Sequence, residues 1–187
     1  VRGVKTTRIA VVSDTHGNLE GLRAAVREIT SREKIDLFFH LGDNYEDAGV
    51  FDEFEYDYLR VPGVFHDLYA ESRVPNRIIE EVEGHKIMLS HTPESHPHDI
   101  AGDPRPEQMV ASRRIDVLLF GHLHIPSIEV KNGVLLVNPG HLKGQDKRGF
   151  SPTYAVLDIS GDRIDARIVE LGSGAVMKKI SFKRLTG

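Results

Sequence analysis

Arg8-Ile-Ala-Val-Val-Ser13, followed by Asp14-Thr-His-Gly-Asn18 and then by Leu19, Leu22, Val26 and Ile29, is the stretch that decides the fold. The β-branched run is of the kind found in strands buried on both faces. The apolar residues after it recur at helical spacing with charged residues between them, which predicts a helix with one apolar face. The unit is strand, polar loop, helix, with the polar residues at the strand's carboxyl end. Asp36-Leu-Phe-Phe-His-Leu41, ending in Gly42-Asp43, is a second buried-type strand, and Tyr58-Leu-Arg-Val61 before Pro62-Gly63 is a third. Alternation of strand and helix is the pattern of an α/β sheet.

Further along, hairpins take over. Asn76–Glu81 and Lys86–Ser90 read as strands joined through Glu83-Gly84. Pro104–Arg114 reads as a helix with Pro106 in its first turn, and Val117–Phe120 as a buried strand ending in Gly121-His122. Ile128–Lys131 and Val134–Val137 flank Asn132-Gly133, a strong hairpin signal. Thr153–Ile159 and Arg163–Val169 form another hairpin, and Met177–Phe182 adds an edge strand guarded by lysines. Early strand–helix units followed by hairpins predict two packed sheets with helices outside. No linker divides residues 1–187, and the length fits one domain at roughly 150 residues per domain.

The composition excludes several classes. Apolar residues make up 40% and charged residues 28% of the 187, which is ordinary for a globular domain and unlike a disordered or collagenous chain. No apolar run approaches the ~18 residues of a membrane span, and the first eight residues hold no signal-peptide core. There is no cysteine, hence no disulfide, thiolate ligand or cysteine nucleophile. These features predict a cytoplasmic protein. The net charge is −4, and between Lys34 and Arg60 there is no basic residue but a run of acids, read as a solvated face or loop. A protein that grips nucleic acid through phosphates needs the reverse. Ten histidines stand against no tryptophan, so their placement matters.

Asp14 and His16 follow the first strand, Asp43 the second, His91 the Lys86–Ser90 strand, and His122 and His124 the Val117–Phe120 strand. Strand carboxyl ends of an open α/β sheet converge on one edge, so these distant residues can meet. Two carboxylates and four imidazoles suit Mn²⁺, Fe²⁺, Ni²⁺ or Zn²⁺. In an extended segment, Asp14-x-His16 and His122-x-His124 each put two ligands on one side. Six ligands exceed the needs of one ion that must also take water and substrate, and two ions sharing Asp43 solve the excess. A metal pair about 3.5–4 Å apart can clamp a phosphoryl group and activate a bridging water, which attacks phosphorus in line with the leaving alkoxide.

Asp14-Thr-His16, Gly42-Asp43, His91 and Gly121-His-Leu-His124 resemble, in order, the motifs of the calcineurin-like metallophosphoesterases, and Val137-Asn-Pro-Gly140 resembles their compact phosphodiesterase branch. The resemblance spans about residues 8–160. It implies a four-layer αββα sandwich of two mixed sheets between helices. It also implies one divalent ion (Mn²⁺ first, then Ni²⁺, Fe²⁺ or Zn²⁺) on Asp14, His16, Asp43 and His124, and another on Asp43, His91 and His122. The implied activity is hydrolysis of a small phosphorylated substrate, a diester rather than a monoester, with no nucleic acid or membrane partner. Association into homo-oligomers is left open. One motif departs: where the family has Gly-Asn and then His or Cys with an acid, this chain has Gly63-Val64-Phe65-His66-Asp67. The asparagine, a ligand of the second metal, is lost. His66 then stands as a proton donor to the leaving oxygen or a replacement ligand. A non-catalytic scaffold, like the family's retromer-subunit branch, is the rival reading, although that branch tends to lose the histidines present here.

Each motif alone has a plainer account. Asp14 could cap the helix starting near Leu19, Gly42-Asp43 could be an ordinary turn, and His122-x-His124 could be surface imidazoles. It is their order, each after a strand, that points to a metal centre. The remaining histidines take structural readings: His40 as a satisfied interior residue, His85 as solvated in a turn, His96 and His98 as loop residues facing solvent. His141 follows the Asn138-Pro-Gly turn, where the family has residues near the phosphate. Phe51, Phe54, Tyr56 and Tyr58 read as an amphipathic segment packed on the body.

Overall fold

A computed structural model describes residues 5–184; residues 1–4 of the amino-terminal stretch and 185–187 lie outside the described residues. One sheet has six strands: β1 (Thr7–Val12), β2 (Leu37–His40), β3 (Tyr58–Arg60), β9 (Thr153–Ser160), β10 (Arg163–Glu170) and β11 (Val176–Lys183), in the order β11-β10-β9-β1-β2-β3. The other has five: β4 (Arg77–Val82), β5 (His85–Ser90), β6 (Val117–Phe120), β7 (Ser127–Lys131) and β8 (Val134–Asn138), in the order β4-β5-β6-β8-β7. Both are mixed. β1, β2 and β3 run parallel, as do β5, β6 and β8, and antiparallel strands flank each trio.

Strand alternation sorts the core into three layers. Ile9, Val11, Phe39, Leu89, Leu119 and Val137 meet between the sheets. Their neighbours Ala10, Val12 and Phe38 face the other way, onto α1 (Leu19–Arg32) through Leu22, Val26 and Ile29. Met88, Leu118 and Leu136 face outward from the second sheet onto α2 (Pro106–Ala111) through Met109 and Val110. Because side chains alternate along a strand, every central strand has to be apolar on both faces, which is why these segments read as unbroken apolar runs. The result is the expected αββα sandwich. No described helix is long and apolar enough to cross a membrane.

Three local readings change. The acidic run is a chain of 3-10 turns, Tyr45–Phe54, whose Phe51 stacks on Phe38 at 4.7 Å, as expected of an amphipathic segment. Its Asp47 is buried rather than solvated. His85 is not solvated either: it is fully buried at the start of β5, and its Nε2–H donates to the Gly161 carbonyl at 2.8 Å, tying together hairpins of the two sheets. Asn18, not Asp14, caps α1 by accepting from the Gly21 amide at 3.1 Å. That leaves Asp14 free for another task.

Candidate metal centre

The parallel trios of both sheets end at one rim. Asp14 follows β1, Asp43 follows β2, His91 follows β5 directly, and His122 follows β6. Backbone bonds stitch these ends together: the Asp14 amide donates to the Gly42 carbonyl at 3.3 Å, Gly63 to Asp43 at 3.3 Å, and Gly121 to His91 at 3.0 Å. Two glycines permit the close approach. A Cβ on Gly63 would lie 2.5 Å from Asp43 Cα, and one on Gly121 would lie 2.0 Å from Ser13 Oγ and 2.6 Å from an Asp14 carboxylate oxygen. At Gly63 and Gly121, glycine is a packing requirement.

Asp14, His16, Asp43, His122 and His124 all have left-handed backbone, with φ of 55°, 50°, 74°, 63° and 59°. This corrects the expectation of extended Asp-x-His and His-x-His segments. Extended chain spaces alternate residues by about 6.6 Å. Left-handed residues curl the first loop so that the Asp14 and His16 side chains converge. Such conformations cost on the order of 1–3 kcal/mol each in non-glycine residues and gather at functional sites.

The convergence is tight. One ligand atom from each of Asp14, His16, Asp43 and His124 lies within 4.8 Å of the others. His16 Nε2 is 2.6 Å from Asp43 Oδ2 and 3.1 Å from His124 Nε2, and His124 Nε2 is 3.2 Å from Asp14 Oδ1. On the other side of Asp43, His91 Nε2 is 3.3 Å from Oδ1, and the His91 and His122 rings are 5.1 Å apart. Asp14 Oδ1, Asp43 Oδ2 and His91 Nε2 are buried yet lack an aligned hydrogen-bond partner. Buried polar atoms rarely stay unsatisfied, and orphaned atoms on both sides of Asp43 fit a bound cation. The donor set, oxygen and imidazole nitrogen only, fits a borderline divalent ion.

The electrostatics agree. Burial pushes the Asp43 carboxyl up, but His16 and His91 outweigh it and hold the pKa well below the aspartate range. Burial would lower His91, yet contact with Asp43 and the charge of Asp14 raise it, and Asp14 raises His124 likewise. The two carboxylates thus favour positive charge at the centre, whether borne by protons or by metal.

Outer contacts aim the ligands. The His91 Nδ1–H donates to the Leu41 carbonyl at 2.7 Å, which leaves the Nε2 lone pair for the centre. His124 Nδ1 meets Asp146 Oδ1 at 3.2 Å, a carboxylate–histidine pair of the sort that orients metal ligands. The second Asp14 oxygen accepts from the Ser13 hydroxyl and from the His122 amide, the latter at 3.0 Å. Asp47 accepts from the Thr15 hydroxyl and, at 2.9 Å, from the Gly17 amide, so it braces the loop that carries Asp14 and His16. Asn138 donates to the Gly121 carbonyl at 3.0 Å, which assigns the Asn-Pro-Gly run a supporting role under His122. Asp47 and Asp146 carry no motif, and nothing in the sequence pattern marked them.

Other histidines divide. His40 is buried and neutral, its pKa pushed down to about 3 by burial, with Nε2 3.2 Å from the Thr15 hydroxyl, as an interior residue should be. His141 is buried beside His124, ring centroids 5.4 Å apart, with Nε2 on the Phe150 carbonyl at 3.0 Å. His66 is not brought to the other six. Its Nε2 lies 2.8 Å from Glu46 and its Nδ1 accepts from the Leu68 amide at 3.2 Å, so both nitrogens are engaged outside the cluster. Here His66, expected as a proton donor or replacement ligand, caps the short 3-10 turn Asp67–Ala70.

The profile of the calcineurin-like phosphoesterase superfamily domain matches residues 7–162. The chain belongs to that superfamily. It is 27% identical over 165 residues to a phosphodiesterase of Methanocaldococcus jannaschii, covering 81% of this chain and 92% of that protein. Among solved structures, a predicted phosphoesterase of Streptococcus pneumoniae superposes with a TM-score of 0.70 at 24% identity, covering 96% of this chain and 99% of the other. Vacuolar protein sorting 29 of Cryptosporidium parvum superposes with a TM-score of 0.68 at 19% identity and the same coverages. These two likenesses establish the shared calcineurin-like fold.

Proposed function

We propose that the chain is a divalent-metal-dependent phosphodiesterase acting on a small phosphorylated substrate in the cytoplasm. The observation that carries the reading is the meeting of Asp14, His16, Asp43 and His124 within 4.8 Å, with His91 and His122 on the far side of Asp43. Asp14, His16, Asp43 and His124 would hold one cation, and Asp43, His91 and His122 a second, with Mn²⁺ preferred and Ni²⁺, Fe²⁺ or Zn²⁺ as substitutes. Such a pair, when bound, supplies Lewis acidity toward a phosphoryl oxygen and an activated water. The protein's part is to hold the ligand set open to substrate. Leu41 and Asp146 fix the rings of His91 and His124, and Asp47 braces the loop of Asp14 and His16. The acidic run between Lys34 and Arg60 works against gripping a polynucleotide through its phosphates.

A second reading, a metal-binding scaffold that works through protein contacts, is favoured by one feature. Val64, buried and aliphatic, follows Gly63 where the family supplies an asparagine ligand. Hydrolysis of bis-p-nitrophenyl phosphate by metal-stripped protein, with and without added Mn²⁺, Ni²⁺, Fe²⁺ or Zn²⁺, separates the two. Turnover restored by metal is the expected result. Metal binding without turnover under every ion would establish the scaffold.

A further inference from the structure

Phe65 is 75% exposed, the most exposed of the large hydrophobic side chains among the described residues. It stands beside the centre, its ring 6.3 Å from that of His122. His96 and His98 pack edge-on against it at 5.9 and 5.5 Å, with interplanar angles of 87° and 84°. The frame is rigid. Val64 before Phe65 is buried, Gly63 is pressed on the Asp43 backbone, and His98 Nδ1 bonds the Val64 carbonyl at 2.9 Å. The loop carrying both histidines is anchored from below by Arg77, whose side chain is fully buried and contacts both Asp99 oxygens at 3.0 Å. Asp99 in turn accepts from the His96 amide at 2.9 Å. The exposed ring is thus fixed in place beside the centre rather than left on a free loop.

We propose that Phe65, framed by His96 and His98 and set beside His122, is a stacking platform that selects phosphodiesters in which one ester group carries a flat heteroaromatic base, as in cyclic nucleotides. The inference rests on the phosphodiesterase reading and deepens it. A diester held at the centre has one substituent on each side of phosphorus, and the platform lies on the His122 side. An exposed aromatic face takes any planar base without reading its identity, as aromatic residues do in single-strand binders. Phe65 is a positioning residue in this account and performs no proton transfer.

The chain has no tryptophan, so Phe65→Trp installs a single indole at the platform, excited selectively over the five tyrosines. Adenosine monophosphate, which undergoes no diester hydrolysis, is expected to quench it saturably, whereas glycerol phosphate at equal concentration leaves it unchanged. In kinetics with Mn²⁺, Phe65→Ala is expected to raise KM for 2′,3′-cyclic adenosine monophosphate by roughly 5- to 100-fold, the effect of one lost base–aromatic stack. Its kcat, and both constants for glycerophosphoethanolamine, should hold, and Phe65→Tyr should restore KM. Equal losses on both substrates, or quenching by neither or both ligands, would overturn the platform. Quenching by the nucleotide alone, in a protein that turns over no diester, would retain the platform and remove the hydrolase reading.

Discussion

The two halves of the metal centre are built to different standards. On one side of Asp43, four ligands close on a point, three from loops of the six-stranded sheet and one from the five-stranded sheet. On the other, His91 and His122 share Asp43, and the residue after Gly63 is a valine. The first half also has the deeper support, with Asp146 behind His124 and Asp47 behind the His16 loop. On the proposed two-ion reading, the difference predicts unequal affinities: a tighter ion where four ligands would meet, and a looser one where three protein ligands would leave room for water and substrate. Open coordination is what a catalytic site requires, and closed coordination is what a structural site requires. One centre here combines both demands.

The largest effect should come from the residue the halves share. Asp43→Asn is expected to reduce metal-dependent hydrolysis on the order of 10³-fold, a loss of several kcal/mol of transition-state stabilisation. Bound metal per chain, measured by elemental analysis, should fall at both positions. Loss at one position alone would break the shared-ligand assignment. Asp146→Asn should act on the four-ligand half only, weakening its metal by about 10- to 100-fold while the looser site titrates as before. Equal weakening of both would show that the loop, rather than His124, was disturbed.

Val64→Asn probes the other half, because it returns an amide to the position after the glycine packed on Asp43. The second metal should bind several-fold tighter, read as a lower Mn²⁺ concentration for half-maximal activity with the first binding step unchanged. No change would mean that an amide at residue 64 does not reach the centre. The smallest effect belongs to the loop beneath the platform. Burial raises the Asp99 carboxyl, but Tyr69 and the Arg77 guanidinium outweigh it and hold the pKa below the aspartate value. A lowered folded pKa contributes stability that is full above the unfolded aspartate pKa and is lost as pH falls toward the folded value. Asp99→Asn should therefore cost stability near neutral pH and flatten the acid limb of the unfolding curve below about pH 4. An unchanged acid limb would separate this ion pair from folding.

The sandwich and the convergence of six candidate side chains on one rim were legible because both rest on local pattern. Apolar runs such as Ile9–Val12 and Val117–Phe120 declare strands buried on two faces, and a ligand after each strand inherits its place from the sheet. What escaped depends on contacts across the chain. Asp47 looks like one acid in a solvated run until Thr15 and Gly17 are placed against it. His85 looks like a turn residue until Gly161 arrives from the other sheet. The left-handed backbone at Asp14 and His122 is imposed by neighbouring loops and leaves no compositional trace, since glycine is its usual sign. His66 followed a motif by one residue too many, and the chain between Gly63 and His66 turns it toward Glu46.

The stitching of loops from opposite sheets has a mechanical consequence. Each proposed ion position would draw on both sheets, with Asp14, His16 and Asp43 following strands of one and His91, His122 and His124 following strands of the other. A bound ion is thus a rivet through the seam of the sandwich, and whatever binds the folded chain alone raises its melting temperature by mass action. Selection for durability and selection for turnover would then preserve the same histidines. A lineage that gave up hydrolysis could keep its ligands for generations as fasteners, so the melting curve with and without metal tells a tale of descent that the motif alone does not.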